Sequence, residues 1–187
     1  MSPGRGRRPR APGTPKAKTV AEMIRVDHAG EYGAVRIYQG QLAVLGRGGR
    51  RDMSTASIRR MAAQEQHHLE NFERLVNERK VRPTALIPLW HIAGFALGAA
   101  TALLGAKTAM ACTASVEDVI DEHYAAQIER LKGDPELEAA LTKFREEELA
   151  HRDEALANGA REASGFGVLS AAIKAGCRLA IRLSEKI

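Results

Sequence analysis

The chain has 187 residues and only two cysteines, Cys112 and Cys177. Two thiols outside any C-x-x-C pair cannot staple a chain of this length, so both read as small core residues of a reducing compartment. No stretch of useful length alternates apolar and polar residues, which removes the signal for amphipathic strands. Acidic residues are missing from positions 1–18, which carry Arg5, Arg7, Arg8, Arg10, Lys16 and Lys18. Setting those six aside leaves 22 of the 28 basic residues against 23 acidic ones. The formal charge of +5 therefore belongs to a tail, and the nearly neutral body is not a nucleic-acid binder. That tail, residues 1–18, also lacks the apolar core of a secretory signal, and its Pro, Gly and Arg content predicts disorder. A solvated arm that touches anionic lipid and a spacer without a role both fit it. Gly46-Arg47-Gly48-Gly49-Arg50 follows no strand and is not G-x-G-x-x-G, so it reads as a turn and nucleotide binding drops out.

What is present is helical periodicity, broken by ionisable residues where apolar ones belong. Ile58, Met61, Glu65, His68, Phe72 and Leu75 alternate steps of three and four, the spacing of one buried helix seam. Leu137, Leu141, Phe144, Glu148, His151 and Ala155 repeat it. Two further seams each carry a single glutamate: Ile24, Asp27, Glu31, Val35, Tyr38, and Met110, Thr113, Glu117, Asp121, Tyr124. The chain thus reads Glu, Glu-x-x-His, Glu, Glu-x-x-His. Buried ionisable groups are costly unless paired or bound to metal. This order is the ligand set of dinuclear carboxylate bundles, and four carboxylates with two neutral imidazoles balance two divalent ions. The expected metal ligands are Glu31, Glu65, His68, Glu117, Glu148 and His151. Glu65 and Glu148 are the expected bridges, with Glu31 and Glu117 terminal. Asp27 and Asp121 are candidates to orient the ligand imidazoles, against a plain surface or cap role. His28, His67 and His123 lie off the seams.

The expected fold is all-α, a ferritin-like four-helix bundle over residues 19–187 with an apolar crossover helix and a C-terminal amphipathic helix. Helix one should start at a capping box of Thr19 and Glu22 and reach Leu45. Helix two should run from Met53 to Arg79, helix four from Lys107 to Lys132, and helix five from Asp134-Pro135 to Asn158. Between them, Pro83 to Ala106 carries no charge with His91 neutral. Leu89 to Ala106 as a helix would be roughly 27 Å long, close to the minimum for a bilayer. A span there would put Glu31, Glu65 and His68 on one side and Glu117, Glu148 and His151 on the other, and the six could not meet. The segment is therefore a crossover, either facing a membrane or packed on its own bundle through the Gly94–Gly98 pair, which also suits self-association. The last helix, from Val168, sets Lys174, Arg178 and Arg182 opposite Leu169, Ile173, Leu179 and Leu183, a pattern suited to an anionic membrane surface.

Two ferrous ions in such a site keep open positions for dioxygen. The charge-free crossover and basic terminus favour hydroxylation of a lipid-soluble substrate over iron storage. A ferroxidase or iron-binding bundle and a non-catalytic membrane scaffold are the other readings.

Val26-Asp27-His28-Ala29-Gly30-Glu31-Tyr32-Gly33-Ala34, Arg36-Ile37-Tyr38 and Gly40-Gln41 resemble the first-helix signature of the demethoxyubiquinone hydroxylase family of ubiquinone biosynthesis. Arg82-Pro83-Thr84, Pro88-Leu89-Trp90, Gly94 to Ala99 and Ala109 to Thr113 continue the likeness. His123-Tyr124 with Gln127-Ile128, Phe144-Arg145 with Glu147-Glu148-Leu149, and Ala175 to Arg178 complete it across residues 20–187. The resemblance implies O2-dependent hydroxylation of the ring of a demethoxyubiquinone or demethoxyubiquinol at a di-iron site, in the penultimate step of ubiquinone synthesis. It implies the same six ligands; Asp118 stands where family members can carry a second Glu, which leaves Glu117 as the ligand. It also implies NADH as electron donor, with His123 and Tyr124 beside the metals and Tyr124 helping to pass electrons. The implied partners are a membrane lipid surface, a polyprenyl quinone, a lipid-binding accessory protein meeting the Gly94–Gly98 surface, and a second copy of the chain. The implied place is the cytoplasmic face of a bacterial inner membrane, or the matrix side of the mitochondrial one.

Overall fold

In a computed structural model, residues 17–47, 53–131 and 133–187 are described. Six helices hold almost all of them: α1 (Ala17–Leu45), α2 (Met53–Glu78), α3 (Ile87–Leu103), α4 (Ala106–Arg130), α5 (Pro135–Ala157) and α6 (Phe166–Lys186). A 3-10 turn, Ala160–Glu162, joins the last two, and no strand occurs among the described residues. The disordered tail expected at 1–18 lies, up to residue 16, outside the described residues, as do the Gly48–Arg50 part of the first turn and Lys132. Helix α1 starts at Ala17, so Thr19 falls inside it rather than capping it. Ala17 and Lys18 are strong helix formers and carry the helix back past the expected start. At α5 the expected cap is present: Asp134 accepts from the Leu137 amide at 3.2 Å, Pro135 takes the first turn, and Arg79, just past the end of α2, bonds the same carboxylate.

The bundle consists of α1, α2, α4 and α5. Arg60 pairs with Glu154 near one end of α2 and α5, and Arg79 with Asp134 at the other, so these two helices are antiparallel. Cross-pairs between α1 and α4, given below, make those antiparallel as well. Leu45 clusters with Ile58 at one end and Ile24 with Phe72 at the other, so α1 and α2 are antiparallel too; α2 and α4 therefore run the same way, and their connection must travel the length of the bundle. That is the ferritin-like arrangement, and α3 is the traveller.

Helix α3 packs along α1 through its glycine edge. A Cβ on Gly98 would sit 1.9 Å from the Ile37 carbonyl oxygen, and one on Gly40 of α1 would sit 2.2 Å from the Phe95 carbonyl. Only hydrogen fits there, so the Gly94–Gly98 pair is spent inside the chain. It offers no surface to a second copy or an accessory protein, because α1 covers it. The opposite edge is bare: Leu89, Ile92, Leu103 and Leu104 are exposed, as are Val168 and Leu179 of α6. Gly105, at φ 116°, makes the sharp turn into α4.

Helix α6 lies on α4 and α1. Two of the three residues of its basic stripe pair with α4: Lys174 bonds Asp118 at 2.7 Å and Arg178 bonds Glu122 at 2.8 Å. Asp118 and Glu122, four apart on α4, match the four-residue step from Lys174 to Arg178.

Candidate dinuclear metal centre

Two apolar clusters fill the bundle. One gathers Leu45, Ile58, Met61, Met110 and Ala155; the other gathers Ile24, Phe72, Leu75, Leu131, Leu137 and Phe144. The layer between them holds Glu31, Glu65, His68, Glu117, Glu148 and His151, each no more than 2% exposed. The structure brings all six sequence-expected ligands together. They form two overlapping groups, Glu31, Glu65, His68, Glu148 and Glu65, Glu117, Glu148, His151, whose ligand atoms lie within 4.8 Å of one another in each. Glu65 and Glu148 belong to both groups, the placement a bridge requires.

Each imidazole turns Nδ1 inward. His68 Nδ1 stands 3.0 Å from Glu148 and 3.6 Å from Glu31, and His151 Nδ1 stands 3.0 Å from Glu65 and 3.2 Å from Glu148. The layer is short of donors. Glu31 Oε2, both Glu65 oxygens, Glu117 Oε2, Glu148 Oε1 and His68 Nδ1 are buried with no hydrogen-bond partner. Orphaned acceptors this dense are what a pair of cations would satisfy, so the residues fit the dinuclear reading.

Without ions, protons take up the imbalance. Burial raises Glu65 and Glu117 well above the ordinary carboxyl range, and the Glu148 charge adds to it. Burial opposes charge on His68, yet the Glu148 and Glu31 carboxylates beside Nδ1 outweigh that and push it to about 12. His151 rises to about 9 in the same way, burial being outweighed by Glu148 and Glu65. Burial would raise Glu148, but the His151 and His68 imidazoles beside it outweigh that and lower it to about 2.

The outward nitrogens are held by residues the sequence reading did not single out. His68 Nε2 meets Glu147 at 2.8 Å and His151 Nε2 meets Gln64 at 3.0 Å. Asp27 and Asp121, the candidates weighed for that role against a plain surface or cap interaction, have no bond to either imidazole. Asp27 accepts from His123 at 3.0 Å and from Gln127 at 2.8 Å, and Asp121 accepts from Arg145 at 2.6 Å. They belong to α1 and α4, whereas the outward nitrogens point across the α2–α5 interface. Glu147 and Gln64 each directly precede a Glu-x-x-His, which is the signal that could have found them.

The terminal glutamates are tied crosswise. Tyr38 of α1 donates to Glu117 of α4 at 2.8 Å, and Tyr124 of α4 donates to Glu31 of α1. Gln41 donates to the Ala109 carbonyl and Thr113, as Gln127 donates to Asp27. The pattern Glu-x6-Tyr-x2-Gln occurs at Glu31-Tyr38-Gln41 and again at Glu117-Tyr124-Gln127, a repeat visible in sequence once Tyr38 is read as more than core. Tyr124 therefore sits against the cluster, and His123 lies one step further out, beside Tyr124 at 6.1 Å between ring centroids and bonded to Asp27. Asp118 points away, to Lys174 and Arg152. His28 and His67 lie outside both groups.

Beside this layer runs an apolar groove of about 540 Å³ between α1, α3, α4 and α6. Gly30 and Val116, next in chain to Glu31 and Glu117, line it, together with Leu97, Ile173 and Gly176. Trp90 and Ser184 line it too, joined by a 3.0 Å hydrogen bond.

The family model for ubiquinone biosynthesis protein COQ7 matches residues 18–184. The chain is 58% identical over 181 residues to a 3-demethoxyubiquinol 3-hydroxylase of Rhodospirillum rubrum, covering 95% of this chain and 84% of that one. It is 51% identical over 173 residues to the human NADPH-dependent 3-demethoxyubiquinone 3-hydroxylase, mitochondrial, covering 90% and 78%. A 5-demethoxyubiquinone hydroxylase, mitochondrial, of Saccharomyces cerevisiae is 38% identical over 188 residues, covering 92% and 80%.

Proposed function

The chain belongs to the ubiquinone biosynthesis protein COQ7 family, and from that premise we propose that it hydroxylates the ring of a demethoxyubiquinone or demethoxyubiquinol with O2 at a di-iron centre. The observation that carries the reading is the buried layer of six carboxylate and imidazole ligands beside an apolar groove that suits a prenylated ring. Glu65 and Glu148 would bridge the ions, with Glu31 and His68 completing one position and Glu117 and His151 the other. When bound, the ions supply the redox chemistry by which dioxygen attacks a ring carbon.

The chain's own residues do the rest. Tyr38 and Tyr124 hold the terminal carboxylates in place, and Glu147 and Gln64 fix the imidazoles with Nδ1 turned inward. The groove receives the ring and its isoprenoid and keeps water from them. Reducing equivalents come from a nicotinamide, NADH by the resemblance and NADPH by the names of the mitochondrial relatives. Tyr124, bonded to a ligand carboxylate and adjacent to His123, is the proposed route inward.

No helix of the described residues is long and apolar enough to cross a membrane. The exposed apolar edges of α3 and α6 flank the groove, and they support a chain lying on one leaflet and drawing its quinone from it. The accessory protein and second copy implied by the resemblance would meet those edges rather than the covered glycines.

The test is aerobic turnover of a short-chain demethoxyubiquinone by the iron-loaded chain with NADH or NADPH under 18O2. The expected product gains one labelled oxygen, and Glu148→Ala, checked for helicity, makes none. Product formation by Glu148→Ala at the wild-type rate would sink the site. Iron oxidation that leaves the quinone unchanged would favour a ferroxidase.

A further inference from the structure

The centre is built twice over, and the two copies differ at the atoms that back the imidazoles. Glu31, Tyr38 and Gln41 of α1 correspond to Glu117, Tyr124 and Gln127 of α4, and Gln64, Glu65 and His68 of α2 correspond to Glu147, Glu148 and His151 of α5. Under that correspondence the bonds that tie the terminal glutamates and those that back the imidazoles are mirrored. His68 Nε2 faces the residue before Glu148, and His151 Nε2 faces the residue before Glu65. One of those residues is a carboxylate and the other an amide.

The difference has a direction. A ligand imidazole whose outer N–H donates to a carboxylate is more basic and gives more electron density to its metal than one donating to a neutral amide. Lys143 stands 3.8 Å from Oε1 of Glu147, on the far side from the Oε2 that faces His68, so it trims the negative charge without replacing it. Asp27 with His123 is the other departure from symmetry: Thr113 and Ile37 hold the mirrored positions. It too lies on the Glu31 side.

We infer that the two metal positions are inequivalent, the Glu31–His68 position holding its ion the more tightly, and that Glu147 against Gln64 sets the difference. The inference rests on the dinuclear reading. Mutation of residues that back a metal ligand typically changes affinity by about tenfold or more, which sets the size of the expected effect.

The experiment titrates the full chain with Mn(II), following bound metal by calorimetry and separating isolated from coupled ions by electron paramagnetic resonance. His151→Ala keeps the His68 position and His68→Ala keeps the His151 position. His151→Ala should bind Mn(II) about tenfold more tightly than His68→Ala. Adding Glu147→Gln should remove most of that advantage in the first background and leave the second unchanged. Equal affinities, or an equal effect of Glu147→Gln in both backgrounds, overturns the inference while sparing the dinuclear site. A wild-type chain that never binds two Mn(II) overturns the dinuclear reading itself. If an alanine variant fails to fold, Glu147→Gln and Gln64→Glu in the otherwise intact chain decide. The first should weaken the tighter step and the second should tighten the weaker one; no change in either overturns the inference.

Discussion

Tyr38 on α1 and Glu117 on α4 are joined by a buried 2.8 Å hydrogen bond, and Tyr124 on α4 returns the contact to Glu31 on α1. Each terminal carboxylate is therefore held by a phenol from the helix that carries the other one. Burial raises both phenols well above their ordinary range, so they stay protonated donors at any physiological pH.

Tyr38→Phe should destabilise the metal-free chain by about 1–3 kcal/mol, the cost of leaving a buried acceptor without its donor. Urea denaturation measures it. A change under about 0.5 kcal/mol would mean that Glu117 finds another partner and that the crosswise tie does not hold it.

Metal should stabilise the chain more as pH rises. Folded His68 and His151 sit near 12 and 9, above the ordinary histidine value of 6.5. Their contribution to the metal-free fold is complete below 6.5 and is lost as pH rises through 9 and then toward 12. The raised Glu65 and Glu117 act with the same sign, whereas Glu148, lowered to about 2, matters only in acid. The gap in melting temperature between loaded and metal-free protein should widen from pH 6 to pH 9, and loading should release protons into the buffer. A gap that narrows over this range contradicts the protonation scheme.

Gly98→Ala should cost about 1–3 kcal/mol, because the added methyl meets the Ile37 carbonyl and pushes α3 off α1. Gly30→Ala, with nothing within 4 Å of the new atom, should stabilise by up to about 1 kcal/mol through helix propensity. Thermal melts of the pair separate packing from propensity.

Gly176→Leu should leave the fold intact, since no atom lies within 4 Å of its Cβ position, yet crowd the groove that Gly176 lines. The expected result is a raised KM for the quinone with iron content unchanged. Unaltered kinetics would place the substrate elsewhere.

Asp134→Ala should lose about 1–2 kcal/mol by removing the α5 cap and the Arg79 contact. The Arg79 hydrogen bond holds the Asp134 carboxyl below its usual 3.8, so this stability is present above that value and fades as pH falls through the lower, folded one. Denaturation of wild type and variant should converge in acid.

The ladder of Glu and Glu-x-x-His was legible because a buried helix seam cannot hold four carboxylates and two imidazoles without a reason. Helix boundaries came within about two residues wherever Gly or Pro punctuated them, as at Gly105 and Pro135. What escaped depended on how helices rotate against each other. Glu147 and Gln64 look like surface residues until α2 and α5 face one another, and Lys174 and Arg178 look like a lipid-facing stripe until α4 supplies Asp118 and Glu122. The apolar crossover fitted two surroundings from sequence; its glycine edge sits on α1, and its leucines are exposed on the other side.

The split of the ligand set between α1–α2 and α4–α5 has a consequence for the life of the chain. Synthesis runs from the N-terminus, so Glu31, Glu65 and His68 emerge long before Glu148 and His151, and the shared bridges are complete only when α5 has closed. The first hairpin alone exposes a half-shell of acids that no antiparallel partner yet neutralises. The iron proposed for this site would thus be the last component installed, in an already assembled protein, and a ribosome that stalls before α5 would release a chain lacking Glu148 and His151 of the ligand set.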